Sequence, residues 1–163
     1  MAKKYLLLLL IGFLFACNVQ DPLETGKEGT PLPDFKIQVD TAWTYYAHEI
    51  QAGNPIVLVY FRTTCPYCRA EIEEILDDID KLDEYKFYFV SADTLPEIKK
   101  FVKQYNLLGY SNVKVGQDVD RFFKTYFKSE GVPYTAIYNK DRKLNAAFFG
   151  KIGTREIKKY SGS

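Results

Sequence analysis

The chain is poor in side chains that hold metals: its 163 residues include one histidine, three cysteines and one methionine. A tetrahedral zinc site would lack its third and fourth ligands. A copper site built from two thiolates and a later histidine would lack the histidine, since none follows Cys65. Neither sign of charge is in excess. The 22 Lys and Arg stand against 21 Asp and Glu, a formal net charge of +1, so nucleic-acid binding has no electrostatic support. The longest apolar run, residues 5–16, stops at Cys17, short of the roughly 20 residues a spanning helix needs. Internal repeats and low-complexity tracts are also missing. What remains is a chain that is 47% hydrophobic, enough for one substantial core. Its 13 Tyr and 12 Phe fall mostly where strand or helix-face packing explains them.

Against that background one stretch stands out, Cys65-Pro66-Tyr67-Cys68. It follows the apolar run 56–61 and opens a helix-patterned segment ending near residue 82. Two residues between cysteines in a first helical turn bring the sulfurs close enough to bond, while the first thiol stays exposed. Unpaired N–H groups and the positive end of the helix dipole favour the thiolate of Cys65, the form that attacks a disulfide. Cys68, one turn inside, is placed to resolve the mixed disulfide.

Lys3 and Lys4 ahead of the run 5–16 have the pattern of a secretory leader. Residues 14–17, Leu-Phe-Ala-Cys, resemble the lipobox of bacterial lipoproteins, although Phe15 is bulkier than the usual residue there. That resemblance implies that residues 1–16 are a signal peptide and that Cys17 carries lipid and no redox role. Losing Lys3 and Lys4 leaves 20 basic against 21 acidic residues, a net charge of about −1. Residues 17–30, with little apolar periodicity and with Gly26 and Gly29, read as a flexible tether reaching about 20 Å from the membrane. The folded domain would then occupy residues 31–160 and face the periplasm of a bacterial envelope, where a reversible disulfide is chemically reasonable.

Within the domain, residues 35–39 alternate as a half-buried strand. Asp40 or Thr41 then caps a short helix with Trp43, Tyr46, Ala47 and Ile50 on one face and His48 opposite, toward solvent. The run 56–61 predicts a central strand buried on both faces. Residues 86–91 predict the next strand, parallel to it across the motif helix. A helix over 95–105, a short strand at 113–115, a helix over 118–127, a hairpin of strands 134–138 and 144–149, and a closing helix over 153–160 complete the order. The stripe of Phe122, Phe123, Tyr126 and Phe127 reads as core, with an edge available to a substrate groove.

That order, with C-x-x-C at the first strand-to-helix turn, resembles the thioredoxin fold and, more narrowly, the membrane-linked TlpA/ResA-like thiol-disulfide oxidoreductases, over about residues 31–158. Leu32-Pro33-Asp34-Phe35 looks like their entry motif, and Cys65 to Glu71 looks like their C-x-x-C-R-x-E signature. The resemblance implies an α/β fold, a central mixed sheet flanked by helices with an N-terminal strand and helix added. It implies catalysis by Cys65 and Cys68 without a cofactor. Pro133, in Gly131-Val132-Pro133, would be cis, and Val132, Pro133, Pro66 and Tyr67 would border the substrate. Clients would be exported proteins with disulfides, apocytochromes c typical among them, and electrons would come from a membrane thiol protein. Where thioredoxins carry a buried Asp this chain has Val59, so Glu71, at the edge of the apolar helix face, is the candidate proton acceptor for Cys68. Arg62 stands where a peroxiredoxin would need threonine. Two alternatives stay open at this point: a DsbA-like disulfide donor, and an interaction module whose disulfide is only structural.

Overall fold

The computed structural model describes residues 20–162, so the leader and the lipidation candidate Cys17 lie outside the described residues. Seven strands form one mixed sheet: β1 (Lys36–Gln38), β2 (Thr44–Tyr46), β3 (Ile56–Phe61), β4 (Lys86–Ser91), β5 (Val113–Gln117), β6 (Tyr134–Tyr138) and β7 (Leu144–Phe149). Four α-helices accompany them: α1 (Pro66–Asp77), α2 (Leu95–Gln104), α3 (Phe122–Tyr126) and α4 (Thr154–Tyr160). The strand order is β2-β1-β5-β4-β3-β6-β7. β3, β4 and β5 run parallel, and β6 and β7 antiparallel to their neighbours. This is the thioredoxin-like α/β arrangement the sequence led us to expect.

β3 sits near the middle because its side chains are apolar on both faces. Val57, Val59 and Phe61 join the core under α1, α2 and α4, while Ile56 and Leu58 join the opposite core with Phe35, Phe123 and Tyr138. These five of the six β3 residues are fully buried, and Tyr60 is partly so. On α1 the buried positions include Ile72 and Ile75, one helical turn apart, which pins the helix that carries the cysteines against the sheet.

Three expectations give way. The helix after residue 40 does not form. Asp40 accepts the N–H groups of Ala42 and Trp43 at 2.7 and 2.8 Å, closing a tight turn. The chain reverses, and Thr44–Tyr46 pairs antiparallel with Lys36–Gln38. Only Ala47–Glu49 coils, as one 3-10 turn. Ala47 and Ile50 are buried as the pattern required, but Trp43, in the turn, and Tyr46, at the end of β2, are exposed. His48 is exposed, as expected.

The second concerns the proposed tether. β7 is the last strand of the sheet, and its outer backbone groups need partners. Residues 20–32 supply them: Leu23 N–H donates to Ala147 O at 2.7 Å, Gly29 N–H to Leu144 O at 2.7 Å, and Leu144 N–H to Thr30 O at 2.9 Å. Within the described residues, the stretch from 20 to 30, expected to be loose, is held against β7. α3 is also shorter than expected. Asp118 lies outside it and accepts the Phe122 and Phe123 N–H groups at 2.7 and 3.2 Å, while Phe122, Phe123 and Phe127 are core.

Candidate active site

The site follows from strand order. Phe61 pairs with Ser91 in parallel register and Tyr60 with Tyr134 in antiparallel register, so the ends of β3 and β4 and the start of β6 share one edge. The chain leaving β3 turns through residues 62–64 into α1, and the chain entering β6 arrives through a cis Val132–Pro133 peptide bond. As a result Cys65 Sγ lies 4.0 Å from the Val132 carbonyl oxygen.

Cys65 is the N-cap of α1, and its sulfur accepts the Cys68 N–H at 3.2 Å, the bond a serine or aspartate oxygen usually takes there. Pro66 opens the helix, where its missing N–H costs nothing. Pro66 and Tyr67 are exposed, Cys65 is half-buried and Cys68 is fully buried; both cysteines are free thiols. Burial, reinforced by the contact with Cys65, pushes the Cys68 thiol well above its ordinary value.

Glu71, one turn beyond Cys68, is wholly buried. Thr135 Oγ1 donates to its Oε1 at 2.6 Å, while Oε2 has no hydrogen-bond partner among the described residues. Burial pushes the carboxyl up to about 7, against the Thr135 bond and weaker pulls from the Ile152 backbone and the Lys151 ammonium. Thr135 pairs directly with Val59 across β3 and β6. Directly opposed residues of an antiparallel pair share a face, so helix α1 brings a carboxylate to the region the strand leaves apolar at Val59.

Asp93 was not legible as a site residue. It is buried two residues past the end of β4 and gathers the loop before Cys65. Thr63 N–H and Thr63 Oγ1 both donate to Oδ2 at 2.7 Å, and Arg62 Nε donates to Oδ1 at 3.0 Å. Burial works against its charge, but the hydrogen bonds from Thr63 and Arg62 prevail and hold the carboxyl below its ordinary value. The available signal was an acid just past the C-terminal end of a parallel strand, where such sheets place functional loops. Asp93→Ala is expected to destabilise the fold by about 2–4 kcal/mol, because three donors lose a charged acceptor. Denaturant midpoints check this; a change below about 0.5 kcal/mol would remove Asp93 from the scaffold of the site. Among the described residues no cluster of three or more His, Cys, Asp or Glu is placed to hold a metal.

Comparisons with known proteins give the family and the fold. The AhpC/TSA family description matches residues 29–148. A thiol:disulfide interchange protein DsbE of Yersinia pestis is 32% identical over 63% of this chain and 57% of its own length. The chain thus spans little more than half of that relative. Thioredoxin H2 of Arabidopsis thaliana is 25% identical over 63% of this chain and 77% of its own. A thioredoxin-family thiol:disulfide interchange protein of Chlorobium tepidum superposes with a TM-score of 0.67 at 19% identity, over 82% of this chain and 97% of that one. With the fold, the paired cysteines and the family match in agreement, the chain belongs to the AhpC/TSA family of thioredoxin-like proteins.

Proposed function

We propose that this chain is a thiol-disulfide oxidoreductase of the bacterial envelope, lipid-anchored through Cys17, that reduces disulfides in exported proteins. The observation that carries the reading is the stagger of the two thiols: Cys65 accessible at a helix N-cap, Cys68 buried one turn behind it, and a buried carboxyl of raised pKa on the next turn. The Cys65 thiolate attacks one sulfur of a client disulfide. That bond breaks, a Cys65–client disulfide forms, and the other client sulfur leaves as a thiolate that takes a proton. Cys68 then gives its proton to the Glu71 carboxylate and attacks Cys65 Sγ. The mixed disulfide breaks, the Cys65–Cys68 bond forms, and the second client sulfur departs as a thiolate that takes a proton. The client gains two electrons and the cysteine pair loses two, which a membrane thiol protein would restore. Pro66, Tyr67, Val132 and Pro133 border the attacked bond, and apocytochromes c are clients suited to this chemistry.

Direction is tested by titrating the full-length chain against thiol buffers of known potential. A value at or below about −200 mV, in the glutaredoxin range or lower, is expected. A value near −120 mV, roughly that of DsbA, would overturn reduction and make the protein a disulfide donor.

A further inference from the structure

A groove of about 770 Å³ begins at Val132, the residue whose carbonyl faces Cys65 Sγ, and runs away from the cysteines between the end of β3 and α3. Its walls carry cations: Arg62 on one side, Arg121, Lys124 and Lys128 on the other, all four exposed. Glu130 is the one carboxylate on the lining. The nearby acids are already committed, Asp93 to Arg62 and Thr63, and Asp118 to the first N–H groups of α3. Among the described residues, Arg121, Lys124 and Lys128 form no ion pair. Arg121 and Lys128 flank α3 with φ of 54° and 53°, a left-handed backbone that side chains rarely adopt. Long cations therefore occupy two positions where glycine would be the easier residue. The groove also offers an apolar surface, Tyr60, stacked on Phe123 at 4.8 Å.

We propose that this groove binds an acidic segment of the client polypeptide beside the disulfide under attack, so that clients are selected by negative charge flanking their cystine. The inference rests on the exchange reading above and adds the substrate class to it. Charge complementarity identifies the occupant: with Arg62 paired to Asp93, Arg121, Lys124 and Lys128 stand against Glu130 alone, and low-dielectric walls focus their field on a segment lying along the groove. The groove starts at Val132, whose carbonyl faces the attacking sulfur, so its cations act on the encounter that precedes attack.

The test uses the reduced full-length chain and three peptides that share one internal disulfide and differ only in flanking residues: acidic, neutral or basic. Acid quenching and alkylation report how fast each is reduced. At low ionic strength the acidic peptide is expected to react at least about tenfold faster than the basic one. In about 1 M salt, where the screening length falls to roughly 3 Å, that ratio should collapse toward unity. Arg121→Glu combined with Lys128→Glu should invert the order. Equal rates for all three peptides in low salt would overturn the groove assignment while leaving exchange intact. Equal rates accompanied by charge-dependent pelleting on anionic phospholipid vesicles would assign the cations to a membrane surface and likewise overturn it. If none of the peptides were reduced, the exchange reading would fall first, and this inference with it.

Discussion

Cys65→Ser is expected to abolish disulfide reduction, lowering turnover by at least about three orders of magnitude, because an alcohol supplies no thiolate nucleophile at neutral pH. The substitution isolates the chemistry. Cys65 is the N-cap of α1 and accepts the Cys68 N–H, and serine is a preferred N-cap residue, so the helix start survives the change. Stability should therefore hold while activity disappears. Cys68→Ala makes the complementary case: Cys65 still attacks, nothing resolves, and a Cys65–client adduct accumulates. Its mass is read on a non-reducing gel or by mass spectrometry. Turnover by Cys65→Ser at the rate of the unaltered chain would reduce the pair to a structural feature.

The parts legible in the sequence were those where one physical pattern had no competitor. The run 56–61 has no polar face, so a strand buried on both sides was the economical reading, and β3 matches it residue for residue. The same holds for residues 86–91 and for the hairpin ending in β7. Residues 40–50 carried two patterns at once. Trp43, Tyr46, Ala47 and Ile50 have helical spacing, but Asp40 can also close a turn, and an antiparallel partner at Lys36–Gln38 was available to the reversed chain. Residues 20–32 looked loose because they lack a hydrophobic period. Their order comes from backbone bonds to the edge of β7, which depend on which strand ends the sheet and not on side-chain type.

Within the site, the motif itself was plain, and Glu71 was visible as an acid beside the apolar face of its helix. Its burial depends on β6 and could not be read from α1 alone, because Thr135, 64 residues away, supplies the hydrogen bond that lets the carboxyl sit inside. Asp93, Thr63 and Arg62 form a similar case. Each is an ordinary polar residue in its own segment, and they come together only because β3 and β4 are parallel neighbours whose ends coincide.

Glu71→Gln separates the chemical role of this carboxyl from its structural one. With a folded-state pKa of about 7 against an ordinary value of 4.5, Glu71 is largely the acid below neutrality and the carboxylate above it. The form able to take the Cys68 proton grows as pH rises through 7, so breakdown of the mixed disulfide should accelerate over that range. The glutamine variant should lose this rise and resolve the adduct about 100-fold more slowly at pH 8. Stability should move the opposite way. A raised folded-state pKa gives a contribution that is complete below about 4.5 and lost as pH climbs through about 7. Between an ordinary value of 4.5 and one of about 7, that contribution amounts to about 3 kcal/mol in total. Glutamine can keep the Thr135 bond and has no charge to bury, so the variant should unfold at higher denaturant than the unaltered chain at pH 8 and lose that advantage at pH 4. Slower resolution with greater alkaline stability identifies Glu71 as the proton acceptor, retained at a cost to folding. An unchanged pH profile of resolution would leave Glu71 only its bond to Thr135.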